Sequence, residues 1–134
     1  MTSYVEHANI SVTDLDATVT FLLTAMPDFR VRHDSGAGPD RWVHVGTDQT
    51  YLCINQMENP APPANDHGAG VNHIGFAIDD VDSLHKRMTE AGYTEGFVPS
   101  PHPHRRRVYF LDPDGMEYEF VQYYADDPAE SNAY

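Results

Sequence analysis

The chain has 134 residues, enough for one ordinary domain or for two small modules that share a core. It carries 8 Lys and Arg against 21 Asp and Glu, and this net charge of −13 argues against nucleic acid and anionic membrane surfaces as partners. No apolar run is long enough to span a bilayer, and the single cysteine, Cys53, excludes an internal disulfide framework. We therefore expect a cytoplasmic protein with no membrane and no nucleic-acid partner.

The first half of the chain predicts a βαβββ module over residues 4–56. Alternating apolar and polar residues predict four strands, at 4–12, 29–33, 41–45 and 51–56. A helix between the first two strands would be capped by Thr13 or Asp14 and ended by Pro27. Its expected apolar stripe comprises Leu15, Val19, Leu22 and Leu23.

The same order of elements is predicted over residues 71–123, after a linker or active-site loop at 57–70 and before a tail at 124–134. Strands are expected at 71–78, 93–98, and on both sides of a turn formed by Asp112-Pro113-Asp114-Gly115. A helix capped by Asp80 or Asp82 would end at Gly92. Its expected apolar stripe comprises Val81, Leu84 and Met88.

The two halves repeat when the sequence is shifted by 66 residues. The matched pairs include His7 with His73, Asp14 with Asp80, Arg41 with Arg107, and Gln56 with Gln122. The same shift places Cys53 on Glu119. Because these pairs fall at strand faces, caps and turns in the same order, an internal duplication is predicted.

His7, His73 and Glu119 form a candidate metal site. Each histidine lies early in the first strand of its module, on the face opposite the apolar residues, and Glu119 lies in mid-strand. Two sheets related by a pseudo-twofold axis would bring these side chains together, with Cys53 at the fourth corner. Two imidazoles and a carboxylate match the facial triad of Fe(II), and suit Mn(II), Co(II), Ni(II) or Zn(II). The alternative is that all three are ordinary structural or solvated residues.

These features resemble the vicinal oxygen chelate superfamily, which includes glyoxalase I, extradiol dioxygenases, fosfomycin-resistance transferases and bleomycin-binding proteins. The resemblance is carried by the paired modules, by His7 and His73 on strands, and by the 112–115 turn followed by Glu119. It implies an α+β fold in which two βαβββ modules form one domain, an eight-stranded mixed open barrel with helices outside. It also implies a small-molecule substrate chelated to a divalent metal through adjacent oxygens.

Departures from the family pattern narrow the expected reaction. Cys53 stands where glyoxalase I and methylmalonyl-CoA epimerase usually carry a fourth ligand, and it is either a thiolate ligand or a small buried hydrophobe. Tyr109 matches a tyrosine that faces the metal in extradiol dioxygenases and fosfomycin transferases, where it would act as an acid or hydrogen-bond donor; ordinary core packing is the alternative. Asn9 stands where a fosfomycin transferase would have threonine.

Further residues are candidates for the rim of the site. In the basic cluster 105–107, Arg107 would clamp a substrate carboxylate or phosphate. The alternative is that the cluster protects a sheet edge and pairs with Asp or Glu. The loop histidines His102 and His104 are candidate general bases or plain surface residues, and His67 is similar. Glu117 faces the same way as Glu119 and would support the ligands or lie at the rim. His33, His44 and His85 are expected to be structural or surface residues. Packing or a dimer contact is expected for Trp42 and the tail tyrosines, Tyr123, Tyr124 and Tyr134.

The sequence thus predicts a divalent-metal-dependent enzyme, glyoxalase-like or dioxygenase-like, with Fe, Mn, Ni or Zn at His7, His73 and Glu119. A homodimer is expected, with His7 meeting the other two ligands within one chain or across two chains. The alternative is a metal-free protein that binds and sequesters a drug or metabolite, as bleomycin-binding relatives do. A third reading is a structural or regulatory protein in which the metal site is vestigial.

Overall fold

The structure, a computed structural model, describes residues 1–57 and 69–134. His67 and most of the predicted loop at 57–70 lie outside the described residues. The chain divides into two units, Met1–Pro62 and Pro63–Tyr134. No helix among the described residues is both long and apolar enough to cross a membrane.

The first unit is a four-stranded mixed sheet with one helix. Its elements are β1 (His7–Val12), α1 (Leu15–Ala25), β2 (Arg30–Asp34), β3 (Trp42–Gly46) and β4 (Tyr51–Gln56). The strand order is β1-β4-β3-β2, with β1 parallel to β4 and the other pairs antiparallel. The buried residues of β3 and β4 include Val43, Val45, Leu52 and Ile54, and α1 packs against β4.

The helix α1 buries a face that differs in part from the predicted one. Leu15 and Leu22 are buried as expected, but Val19 and Leu23 are only partly buried, whereas Phe21 is fully buried. Because α1 is apolar on several sides, its periodicity does not identify the buried face uniquely. Asp14 is the observed N-cap, and its carboxylate accepts from the Ala17 N–H at 3.0 Å.

The second unit is a three-stranded mixed sheet with two helices. Its elements are β5 (His73–Ala77), α2 (Val81–Glu90), β6 (Arg105–Leu111), β7 (Glu117–Tyr123) and the short α3 (Pro128–Ser131). The strand order is β5-β7-β6, with β5 parallel and β6 antiparallel to β7. The predicted stripe of α2 is confirmed, since it is buried with the large core residues of the unit: Val81, Leu84, Met88, Phe110, Tyr118 and Phe120.

The strand predicted at residues 93–98 does not form. Glu95 makes an isolated bridge to Phe110, and the Gly96 N–H donates to Tyr109 O at 2.8 Å, but no continuous ladder follows. The next N–H, that of Phe97, donates instead to the Glu117 carboxylate at 2.8 Å. Three prolines at 99, 101 and 103 then supply no N–H groups. The described residues therefore form an α+β fold of two open mixed sheets, with seven strands instead of the predicted eight.

Equivalent hydrogen bonds in the two units support the predicted duplication. Gln56 Oε1 accepts from the Leu15 N–H at 2.9 Å, and Gln122 Oε1 accepts from the Val81 N–H at 3.1 Å. In both units a glutamine of the last strand thus satisfies the first N–H of the helix. Asp80, the observed N-cap of α2, repeats the role of Asp14.

Candidate metal-binding site

Glu119 lies in the middle of the second unit's sheet, on the face opposite the core residues Tyr118 and Phe120. Its Cα partners are Gly75 on β5 and Tyr109 on β6, so it occupies the middle strand. Alternation along β7 turns Tyr118 and Phe120 into the core and Glu119 to the opposite face. The Glu119 side chain is only 17% exposed, so its carboxylate needs polar partners.

His73 supplies the first of those partners. Its Nε2 lies 3.1 Å from Glu119 Oε2, and its Nδ1 lies 2.9 Å from Asn72 Oδ1. His73 Nδ1 therefore faces an amide oxygen, which only accepts, and Nε2 faces the carboxylate. This is the second-sphere arrangement that orients a metal-binding histidine.

His7 repeats part of this arrangement in the first unit. Its Nδ1 lies 3.2 Å from Glu6 Oε1, and Glu6 precedes it as Asn72 precedes His73. Its ring stacks on Tyr51 with centroids 4.9 Å apart. Both histidines therefore hold Nδ1 against the preceding side chain.

Tyr109 lies beside Glu119 and His73. Its side chain is 5% exposed, and its ring meets the His73 ring edge-on with centroids 5.5 Å apart. Burial raises the pKa of the Tyr109 hydroxyl, and the charge and hydrogen bond of Glu119 raise it further. The hydroxyl therefore stays protonated and donates to the Glu119 carboxylate. Its predicted role as an acid or donor toward a substrate stays a prediction.

Arg107 lies on the same face of β6 as Tyr109. Its Nη1 is 3.9 Å from Glu119 Oε1, so the guanidinium pairs with the carboxylate without a hydrogen bond at that contact. Arg106, on the opposite face, pairs with Asp82 at 2.6 Å. Alternation along β6 thus gives the neighbouring arginines different partners.

Glu117 has a structural contact within the described residues. Its carboxylate accepts from the Phe97 N–H at 2.8 Å and fills the space where a side chain at Gly96 would lie. Phe97 in turn meets the Tyr109 ring edge-on, with centroids 5.4 Å apart. Glu117 therefore holds the 95–97 segment against one side of Tyr109.

Cys53 and Asn9 face each other across β4 and β1 in the first unit. Cys53 is 7% exposed, and burial raises the pKa of its thiol, which favours the protonated form over the thiolate that binds metals. Asn9 Oδ1 accepts from Asn55 Nδ2. These contacts favour the reading of Cys53 as a small buried residue.

His102 and His104 lie just before the start of β6, next to the C-terminal tail. His102 Nδ1 accepts from the His104 N–H at 3.1 Å, and the His102 side chain also bonds to the backbone of Ala133. Burial and the nearby charges of Arg105 and His104 lower the pKa of His102. His102 is thus engaged in holding the tail.

His44 is a candidate site residue that the 66-residue alignment of the two halves did not identify. It is the Cα partner of Cys53 on β3, just as Tyr109 is the Cα partner of Glu119 on β6. These residues are 65 positions apart, so a uniform shift of 66 does not align them. Desolvation lowers the pKa of His44, which favours a neutral imidazole. The alternation of Trp42, Val43, His44 and Val45 was the available signal.

His44 belongs to a ladder of aromatic rings on the face of the first sheet opposite α1. Successive ring centroids are 4.5 to 4.9 Å apart, and the Arg32 guanidinium lies 4.2 Å from the centroid of one ring, that of Tyr51. The rings, in order, are His33, Trp42, His44, Tyr51 and His7. This face presents stacking surface and imidazole nitrogens instead of an apolar core.

The described part of the second unit brings together His73, Glu119, Tyr109 and Arg107. Within residues 1–57 and 69–134, neither unit by itself contains three His, Cys, Asp or Glu side chains arranged to hold a metal ion. Completion of the ligand set by His7 therefore stays a prediction.

Comparisons with known proteins agree with this architecture. The model of the Glyoxalase/Bleomycin resistance protein/Dioxygenase superfamily matches residues 4–120. A probable lactoylglutathione lyase from Synechocystis sp. is 26% identical over 121 residues, which cover 87% of this chain and 92% of the relative.

Two solved structures share the fold over nearly the whole chain. A glyoxylase/bleomycin resistance protein/dioxygenase domain from Frankia sp. EAN1pec has a TM-score of 0.76 at 17% identity, over 99% of this chain and 100% of that one. The antibiotic binding protein TnmS3 from Streptomyces sp. CB03234 has a TM-score of 0.67 at 25% identity, over 91% of this chain and 97% of that one.

Proposed function

Because the chain belongs to the glyoxalase/bleomycin resistance protein/dioxygenase superfamily, we propose that it is a divalent-metal-dependent enzyme acting on a small molecule bound through adjacent oxygens. The observation that carries the proposal is the 3.1 Å approach of His73 Nε2 to Glu119 Oε2, with His73 Nδ1 held by Asn72. One nitrogen and one oxygen donor, oriented by a second-sphere contact, fit a divalent transition metal. The third ligand in this proposal is His7, from the same chain or from a second copy in a homodimer.

The chain's own residues have defined roles in the proposed reaction. A bound divalent cation would polarise the substrate oxygens and stabilise negative charge that develops on them. The Tyr109 hydroxyl, which donates its one proton to Glu119 in the free protein, would redirect that hydrogen bond to a substrate oxygen. Phe97 and Glu117 would keep Tyr109 in place and limit the access of water to it.

Cys53 in the first unit bears on which reaction the proposed enzyme catalyses. The lactoylglutathione lyase relative supports an isomerisation of the glyoxalase type. Cys53, however, lies where the resemblance to glyoxalase I implies a Glu or Gln ligand, and burial keeps its thiol protonated by raising its pKa. We therefore assign the chain a glyoxalase-like or dioxygenase-like activity in which three protein ligands leave more open metal positions than glyoxalase I has.

The second candidate function is binding and sequestration of a drug or metabolite without a metal. It is favoured by the likeness to the antibiotic binding protein and by the ring ladder of the first unit, which suits a planar ligand. The two candidates differ in what they require of His73 and Glu119. Only the enzyme requires these two side chains to bind a metal.

Elemental analysis of protein purified without an affinity tag tests the proposal. We expect near-stoichiometric Fe, Mn, Ni or Zn in the wild type and its loss in His73→Ala. His85→Ala is a matched control, because His85 Nε2 also lies 3.2 Å from a glutamate, Glu95, away from β7. Absence of metal even after incubation with each ion, with unchanged stability in His73→Ala, would contradict the enzyme and favour the binding protein.

A further inference from the structure

A cavity of about 190 Å³ opens beside Glu119 on the face of β6 and β7 that carries the candidate site. Its walls come from β6, β7 and the C-terminal segment, all within the second unit. The lining residues are Arg105, Arg107, Glu119, Tyr123, Ser131, Asn132 and Tyr134. The cavity therefore adjoins one of the proposed metal ligands and extends away from it toward the tail.

The charge of this cavity is unusual for the chain. Two of the 8 basic Lys and Arg residues, Arg105 and Arg107, line it, in a protein with 21 acidic residues. They are two residues apart on β6 and so share a face, whereas Arg106 points to the other side and is paired with Asp82. Because a net charge of −13 repels anions overall, an anionic ligand requires a local positive site of this kind.

Arg105 forms the fixed wall of the cavity. Its Nη1 donates to Ser131 O at 3.2 Å and to Ala133 O at 2.8 Å, and its guanidinium carbon lies 6.0 Å from the Tyr134 ring centroid. Carbonyl oxygens carry no net charge, so these bonds position the guanidinium without neutralising it. The tail and the arginine thereby hold each other in place.

Arg107 is placed to bind a ligand directly. At 3.9 Å from Glu119 Oε1, its Nη1 is too far for a hydrogen bond to that carboxylate. Its side chain is 27% exposed, and it lines the cavity with a planar fork of N–H donors. A carboxylate or phosphoryl group between Arg107 and the tail would receive two parallel hydrogen bonds.

We infer that this cavity is an anion subsite that binds an acidic group of the substrate, a carboxylate, phosphate or phosphonate, with Arg107 as its direct ligand. The inference rests on the proposed function, because the rest of the substrate would extend toward His73 and Glu119. Pockets for drug-sized ligands occupy roughly 300–1,000 Å³, so this cavity fits an acidic group on a short carbon chain.

Anion binding to metal-free protein tests the subsite separately from the metal. The protein is titrated at low ionic strength with inorganic phosphate, methylphosphonate and acetate, while side-chain arginine signals are followed by NMR. Acetamide serves as the neutral counterpart of acetate. We expect at least one anion to bind saturably and acetamide not to bind. The preference between the phosphoryl compounds and acetate identifies which acidic group the subsite takes.

Matched arginine variants then assign the binding to Arg107. Arg107→Gln removes a charge-assisted pair and is expected to weaken anion binding about tenfold or more. Arg106→Gln removes the same charge from the other face of β6 and should leave binding unchanged. Arg107→Lys keeps the charge but not the planar fork of donors, and should bind phosphate less tightly than the wild type. If circular dichroism shows that Arg107→Gln is unfolded, Arg107→Lys replaces it in the test.

The outcomes separate the subsite from the metal site. Equal anion binding in wild type and Arg107→Gln, or equal losses in Arg107→Gln and Arg106→Gln, would overturn the subsite. Because Arg107 Nη1 lies 3.9 Å from Glu119 Oε1, metal content of Arg107→Gln is measured alongside; loss of anion binding with metal retained assigns Arg107 to the subsite. Arginine-dependent anion binding in a wild type that takes up no metal would uphold the subsite and contradict the metal-dependent function.

Discussion

Gln56 and Gln122, 66 residues apart in the chain, make the same hydrogen bond in the two units: each Oε1 accepts from the first N–H of a helix. The two donors, Leu15 and Val81, are almost completely buried, so water cannot replace the glutamine. This contact fixes each helix to the last strand of its sheet. In each unit it thereby holds the start of the helix against its own sheet.

The glutamine contacts predict a measurable loss of stability. Gln56→Ala and Gln122→Ala each leave a buried N–H without its acceptor, and each should lower the free energy of unfolding by about 1–2 kcal/mol. Gln56 Nε2 also donates to Thr13 O at 2.7 Å, so Gln56→Ala should be the more costly of the two. Urea denaturation of both variants provides the measurement.

A conservative control accompanies these variants. Gln122→Glu keeps an acceptor oxygen at the start of α2, where negative charge is favourable, and should retain most of the wild-type stability. A loss in Gln122→Glu as large as in Gln122→Ala would show that the hydrogen bond does not set the cost.

Asp112 predicts a pH-dependent contribution to stability. Its Oδ1 accepts from the backbone N–H groups of Asp114 and Met116, both at 2.9 Å, and burial raises the pKa of its carboxyl above 3.8. The folded state therefore holds the proton to a higher pH than the unfolded state. As pH rises from 3.8 through the raised folded pKa, this group makes the protein less stable.

Two substitutions separate the charge of Asp112 from its hydrogen bonds. Asp112→Asn keeps the acceptor and removes the buried charge, so it should be at least as stable as the wild type at neutral pH and should not show this loss with pH. Asp112→Ala removes the acceptor and should cost about 1–3 kcal/mol. Chemical denaturation between pH 3 and 8 measures both; a destabilised Asp112→Asn would contradict the account.

Tyr109 should titrate above its ordinary pKa of 10.0, because burial and the Glu119 charge both oppose ionisation. Its hydroxyl therefore remains a donor throughout the neutral range, and its contribution to stability falls as pH rises above 10.0 toward the folded pKa. The difference between wild-type and Tyr109→Phe ultraviolet titrations isolates this group. A difference spectrum with a midpoint at or below 10 would contradict the proposed contact with Glu119.

Glu117 should act by holding Phe97 against Tyr109. Glu117→Ala removes the acceptor of the Phe97 N–H, so it should weaken the Phe97–Tyr109 ring contact and cost about 0.5–1.5 kcal/mol of stability. Glu117→Gln keeps an acceptor and should preserve the contact. Nuclear Overhauser effects between the two rings report it directly, and their persistence in Glu117→Ala would contradict this role.

Several parts of the fold could be predicted from the sequence because local signals agree with the packing. The Asp caps, the glycine at 92 and the stripe of α2 act over a few residues, and the structure confirms each of them. The strand predicted at 93–98 does not form, because the Phe97 N–H donates to the Glu117 carboxylate instead of to a backbone carbonyl of a neighbouring strand. Glu117 is 20 residues from Phe97 in the sequence, so no local pattern around residue 97 predicts this hydrogen bond.

The sequence names candidate residues for the site, but it does not predict the contacts that their side chains make. Tyr109 and Arg107 share one face of β6, and Arg107 Nη1 lies 3.9 Å from Glu119 Oε1, but their role in a metal site stays a prediction. His44 was missed because β3 and β6 are related by 65 residues and not by the 66 that relates the other elements. The hydrogen bond from His73 to Asn72 depends on side-chain torsions, which a residue pattern does not contain.

The most direct test of the metal-dependent account is a titration of metal-free protein with Co(II), followed by visible absorption. We predict one saturable site per chain, abolished in His73→Ala and Glu119→Gln. Asn72→Ala, which removes only the second-sphere partner of His73, should weaken binding by about 10- to 100-fold. Saturable binding that is unchanged in Glu119→Gln and His73→Ala, or no binding by the wild type, would contradict the account.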